Sequence, residues 1–142
     1  RMTAGTGIVH SEKNPEMDAR VHLYQIWLFP EKQGLTPSYE QRVLEPGQRV
    51  NRLQVVASRD GRDGSITINQ DTSLYLAALD EGAEVRHGFD GQRFAWVQVV
   101  SGKVDVNGAA LGEGDGAAVG YEDAVNLKGL VGGGEVMLFD MP

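Results

Sequence analysis

The sequence predicts an all-β protein, a sandwich or barrel of about ten short strands. Three observations carry that prediction. Short apolar stretches recur along the chain with turn signals between them. No stretch shows the roughly 3.6-residue apolar repeat of an amphipathic helix. Glycine is abundant, with 19 residues in 142 against 5 prolines, which suits many turns between short strands.

Taken in order, Ile8 to Ser11 is apolar enough for a first short strand. Lys13 to Arg20 holds Asn14-Pro15 and several charges and reads as a surface loop. Val21 to Phe29 is the strongest strand; both of its alternating faces are mostly apolar, so it is expected to be buried on both sides. Pro30 ends it, and Glu31 to Ser38 is a loop. Tyr39 to Leu44 reads as a short strand, Pro46-Gly47 as a turn, and Val50 to Ser58 as a strand with Leu53, Val55 and Ala57 on one face. After the polar turn Asp60 to Gly64, Ser65 to Asn69 alternates with Ile66 and Ile68 inward. Ser73 to Leu79 reads as a strand, although its Leu and Ala content also allows a helix. Phe94 to Val100 is a second strong strand, followed by Lys103 to Val106. Asn107-Gly108 is a hairpin signal, because a type I′ turn needs positive φ at both central residues. Gly112 to Gly116 turns the chain. Ala117 to Val119, Val125 to Leu130 and Glu135 to Phe139 complete the strands, the last two separated by Gly132-Gly133-Gly134.

Composition narrows the function. A length of 142 residues suits one buried core, and a hydrophobic content of 41 % belongs to a globular protein. The formal charge is −7 and the basic residues are scattered, which disfavours tracking a phosphate backbone or an acidic membrane surface. No apolar run is long enough to span a membrane as a helix. Cysteine is absent, which excludes disulfides and thiolate metal sites. With no secretory pattern visible, the expected location is cytoplasmic. The native protein is expected to extend upstream of Arg1. Gly5-Thr6-Gly7 is not a phosphate loop, since position 10 is not glycine and no helix follows. No Gly-x-Ser-x-Gly marks a hydrolase nucleophile.

The opening dozen residues carry the densest chemistry. His10 and Glu12 are two apart, so on a strand they project to one face. Imidazole and carboxylate are ordinary ligands for divalent iron, manganese, nickel or zinc. A metal centre needs three or four protein ligands, so the pair is half of a site. The bland alternative is two polar residues at a strand end.

Met2-Thr3-Ala4-Gly5-x-Gly7-Ile8-x-His10-Ser11-Glu12 resembles the signature of the pirin family, bicupin proteins of which some act as quercetin 2,3-dioxygenases. His22-Leu23-Tyr24-Gln25-Ile26-Trp27-Leu28, Pro37-x-Tyr39-Glu40-Gln41, Gln70-Asp71-x-x-Leu74-Tyr75 and Trp96-Val97-Gln98-Val99-Val100-x-Gly102 extend the resemblance over the whole chain. The resemblance implies a cupin-type double-stranded β-barrel, or jelly roll. Residues 1–20 would be the terminal strand and loop of a preceding N-terminal cupin, and residues 21–142 the C-terminal cupin. It makes His10 and Glu12 the last two ligands of a divalent metal, iron first, with manganese, nickel or zinc as alternatives. Glu12 would also be a general base towards a flavonol-like aromatic substrate. The other two ligands would come from a His-x-His in the missing N-terminal cupin half. The histidines here are His10, His22 and His87, and no two form such a motif.

The second cupin can be set against the general cupin pattern. Counted from Gly82, the two histidine positions fall on Gly88 and Asp90, and the glutamate position on Phe94 or Ala95. Counted from Gly114, the final histidine position falls on Val125. This half is therefore expected to be a degenerate barrel, a scaffold without metal chemistry. His87, one residue out of that register, is expected on the opposite strand face as a structural or solvent-facing residue. His22 is expected to be a hydrogen-bonded core or interface residue, and Trp27 and Trp96 core or inter-domain packing. Two functions follow. In the first, the parent protein is a metal-dependent oxygenase of the quercetin 2,3-dioxygenase type and this chain alone is inactive. In the second, the chain is a non-catalytic cupin module for protein contacts, including a homodimer.

Overall fold

The computed structural model describes the whole chain, Arg1–Pro142, as β-strands and turns with two short 3₁₀ turns and no α-helix. No helix is long and apolar enough to cross a membrane. Ten strands are present: β1 (Met2–Thr3), β2 (Ser38–Tyr39), β3 (Gln54–Ser58), β4 (Ile66–Thr67), β5 (Ser73–Leu79), β6 (Glu84–Gly88), β7 (Phe94–Val106), β8 (Ala109–Gly112), β9 (Gly116–Gly120) and β10 (Ala124–Met141). β1 and β2 pair with each other; the other eight form one sheet.

That sheet runs β4-β3-β5-β10-β7-β8, with β6 also on β10 and β9 also on β7. β10, 18 residues long, is the spine. Its first part pairs with β6 and with the end of β7; its last part lies between β5 and the start of β7. Val136 faces Ala77 and Val99 across the ladder, and Leu138 faces Tyr75 and Val97. Directly opposed residues share a face, so these side chains meet on the inside. The core is built from them together with Val104, Val106, Val125 and Leu127, all buried.

β10 holds both halves because it bulges between Gly129 and Gly134 where it runs beside β7. The extra residues bend the strand and re-aim it. The two segments expected on either side of Gly132-Gly133-Gly134 are therefore one bent strand, as are Phe94–Val100 and Lys103–Val106. The hairpin at Asn107-Gly108 is present, with φ of 49° and 90°. β5 is a strand, which settles its strand-or-helix ambiguity. β6 and β8 were not among the expected strands. Each is a single short rung flanked by charge or glycine, with little period-2 signal of its own.

The expectation for Val21–Phe29 fails, and so does that for Ile8–Ser11. Neither segment joins a ladder, and between β1 and β2 there is no strand. Trp27 is 80 % exposed and Phe29 86 %. Apolar periodicity reports how much cover a segment needs. It does not say that the same chain supplies the cover or the neighbouring strand. Tyr39–Leu44 shrinks to β2 for the same reason. Residues 1–49 thus form an arm beside the barrel. Polar bonds hold it there: Glu31 N–H donates to Asn69 O at 2.8 Å, Gln70 Nε2 to Phe29 O at 2.7 Å, and Arg49 pairs with Glu135 at 3.1 Å.

Candidate metal centre

His10 and Glu12 lie on the arm, just beyond β1. The Arg1 amino group donates to Glu40 O at 2.7 Å, which reinforces the β1–β2 pairing. A turn closed by Gly7 N–H to Ala4 O at 2.8 Å then leads the chain outward to residues 8–12. The structure brings the two predicted ligands together, with His10 Nε2 3.8 Å from Glu12 Oε1. Both side chains are open to solvent. Gln25 Nε2 donates to the same Glu12 oxygen at 3.4 Å, which links residues 10–12 to the exposed apolar segment.

An imidazole nitrogen and a carboxylate oxygen at this separation fit a divalent cation as two donors. They have no third: no three His, Asp or Glu side chains in the chain are placed to hold a metal ion together. The donor chemistry suits a metal, and the donor number does not complete a site.

A second polar cluster sits inside the barrel mouth, where sequence reasoning missed it. Val125 is fully buried and points inward, and its direct partner on β6 is His87. His87 therefore shares the inward face with Val85 and Phe89, which pack on the core. The opposite-face expectation for His87 is corrected. Counting a fixed five residues from Gly82 overshoots the strand register by one, and that shift exchanges the two faces. The inward positions are His87, Phe89 and Arg93, in place of Gly88, Asp90 and Phe94; Ala95 does face inward, as a buried core residue.

His87 Nε2 lies 2.7 Å from Asp140 Oδ2, with its ring 4.8 Å from that of Tyr75 and 5.7 Å from that of Phe89. Arg93 donates through Nε to the other Asp140 oxygen. Its Nη1 and Nη2 reach the two Asp71 carboxylate oxygens at 3.2 and 3.3 Å. Burial by itself would raise the Asp140 carboxyl. The hydrogen bonds from His87 and Arg93, with their charge, overcome it and hold the group below its ordinary value. Burial opposes the Arg93 charge, and the bonds to Asp140 and Asp71 outweigh it and raise Arg93 above the usual arginine value. The inward side chains are thus a histidine, a phenylalanine, an arginine and a valine, with one well-neutralised carboxylate.

The other singled-out residues are placed as follows. His22 is exposed and stacks on Tyr24 at 4.9 Å, so it is not a core residue of this chain. Trp27 is exposed, and Trp96 is part-exposed over Gly116, where its ring leaves no room for a Cβ. The core reading fails for both; large aromatics in a two-sided apolar segment again need cover that the chain does not provide.

Comparison with known proteins adds to this geometry. Residues 55–141 match the family model described as "Quercetinase C-terminal cupin domain", and residues 1–28 match the model "Pirin". The chain is 45 % identical over 141 residues to the quercetin 2,3-dioxygenase of Escherichia coli K12. That match covers 99 % of this chain and 59 % of the relative, so the chain spans about three fifths of the curated relatives' length. The crystal structure of YhhW from Escherichia coli superposes with a TM-score of 0.91 at 45 % identity, over 99 % of this chain and 58 % of that one. A structure of bacterial pirin YhhW in complex with nickel(II) superposes at 0.72 and 40 % identity, over 80 % of this chain and 47 % of that one. The barrel is a cupin, and with arm and barrel each matched to a model of the same family, the chain belongs to the pirin family.

Proposed function

We propose that this chain is the C-terminal portion of a metal-dependent oxygenase of the quercetin 2,3-dioxygenase type, acting on flavonols, and that it carries half of the metal site. The observation that supports this most directly is the His10–Glu12 pair at 3.8 Å on an arm with no third donor near. In this reading residues 1–20 close a preceding cupin and residues 21–142 belong to the second, with residues 21–49 lying outside its barrel. The apolar side chains of Val21–Phe29 pack against the missing half, whose His-x-His completes the ligands. The nickel-bound relative supports a divalent ion. Iron remains the first choice, with manganese, nickel and zinc as alternatives, and the setting is cytoplasmic.

A bound metal would supply Lewis acidity to a coordinated substrate hydroxyl. His10 would contribute an imidazole nitrogen to that site. The Glu12 carboxylate has two roles open to it, ligand and acceptor of the proton that the flavonol hydroxyl gives up. The exposed aromatic side chains of the arm, once covered by the first cupin, keep water from the site.

A chimera tests the reading. This chain replaces the matching three fifths of the Escherichia coli relative. The chimera is expected to bind one divalent ion and to turn over quercetin. Glu12→Gln in that chimera is expected to lose about 100-fold or more in rate, the usual scale for removing a positioned base. His10→Ala is expected to release the metal. A folded chimera that turns over quercetin equally well with both substitutions would refute the assignment. A second reading, a non-catalytic module for protein contacts or homodimerisation, draws on the uncovered apolar arm. It is favoured if the folded chimera binds metal but processes no flavonol.

A further inference from the structure

The cluster in the barrel mouth does more than neutralise a buried carboxylate, because it reaches out of the barrel on one side. Arg93 is shared between two acids on different parts of the chain. Asp140, on β10, is buried and takes the guanidinium Nε. Asp71, in the loop between β4 and β5, is part-exposed and takes Nη1 and Nη2 in a two-pronged grip, and the Asp71 backbone carbonyl accepts from Nη2 at 3.3 Å. His87 on β6 braces Asp140 from the other side at 2.7 Å.

The gripped loop is the one on which the arm rests. Asp71 N–H donates to Gln70 Oε1 at 2.7 Å, and Gln70 Nε2 donates in turn to Phe29 O at 2.7 Å. Asn69 O accepts the Glu31 N–H at 2.8 Å, and Asn69 Nδ2 donates to Thr3 Oγ1 at 3.1 Å. Further along the arm, Gln25 reaches Glu12. Polar contacts therefore run from His87 in the barrel to Thr3, Phe29 and Glu31 of the arm, and the backbone from Phe29 back to Gln25 joins them to the Gln25–Glu12 contact. The Arg59–Glu31 pair, at 2.8 Å, runs in parallel, but it is solvent-exposed and screened by salt.

We propose that Arg93 is a positioning residue for the N-terminal arm: by gripping Asp71 and Asp140 at once it fixes the 69–71 loop to the barrel, and the loop in turn holds Phe29 and Glu31 in place. The second cupin thereby sets where His10 and Glu12 are presented. That consequence rests on the metal-site reading above; the clamp itself does not. The grip needs a planar fork with donors pointing two ways, which arginine has and lysine lacks.

Amide hydrogen exchange on this chain, at salt high enough to screen Arg59–Glu31, tests the clamp without metal or substrate. The Glu31 amide reports the arm; the Val97 and Leu138 amides report the barrel. Asp71→Ala removes the outer grip and leaves the Arg93–Asp140 pair. It is expected to raise Glu31 exchange about tenfold or more, with Val97 and Leu138 unmoved, as local opening does. Arg93→Met is expected to raise Glu31 exchange at least as much, and Arg93→Lys to fall between it and the unaltered chain. Glu31 exchange that stays put in Asp71→Ala would overturn the proposal. So would a rise matched by the same factor at Val97 and Leu138, which marks general loss of barrel stability. Neither result bears on the chimera experiment, so the two readings fail separately.

Discussion

At Asp140 a carboxylate sits inside the barrel mouth with an imidazole on one oxygen and a guanidinium on the other. Its proton affinity is lowered in the folded state, so it adds stability that is fully present above the unfolded carboxyl value of about 3.9. That contribution is lost as pH falls through the lower folded value. Melting temperature is therefore expected to drop as pH decreases below about 4, and Asp140→Asn is expected to flatten part of that drop. At neutral pH the same substitution leaves Arg93 short of its buried partner and is expected to cost about 3 kcal/mol, read from the urea midpoint. The closeness of His10 and Glu12 was legible in the sequence, because they stand two residues apart. Asp140 and Arg93 were not. Their partners lie 47 and 22 residues away along the chain, and only strand register brings them together. His87 was noticed but assigned to the wrong face, since a one-residue error in register exchanges the two sides of a strand.

Among the elements, β10 shows how local signals can be right and incomplete. Its two apolar segments and the three glycines between them were readable; that they are one strand was not, because the bulge depends on β7 beside it. Gly132 and Gly133 both have positive φ, at 82° and 73°, but differ in surroundings. A Cβ on Gly132 meets open space, whereas one on Gly133 runs into the Leu79 carbonyl. Gly132→Ala is expected to cost about 1 kcal/mol, the backbone penalty alone. Gly133→Ala is expected to cost more, about 2–3 kcal/mol, since strain adds to the clash. Chemical denaturation of the two variants checks the order, and equal costs would remove the close approach as a cause. Val21–Phe29 shows the opposite case, a strong signal with no ladder in this chain. Its apolar faces speak of a neighbour.

For the whole molecule, fold class was the most legible property. Turn spacing and glycine content predict an all-β sandwich or barrel, the family resemblance narrows it to a cupin barrel, and the ten strands and single core agree. What stayed unreadable was which apolar segments the chain covers for itself. The barrel closes around its own core, while the arm leaves its aromatics outside, and the His10–Glu12 pair lies on the arm. We propose that this chain holds half of a metal site. Metal analysis of the purified chain after dialysis tests that most directly. The expected result is well below one equivalent of divalent metal per chain, and no quercetin turnover. One tightly held ion per chain, in a monomer, would contradict it.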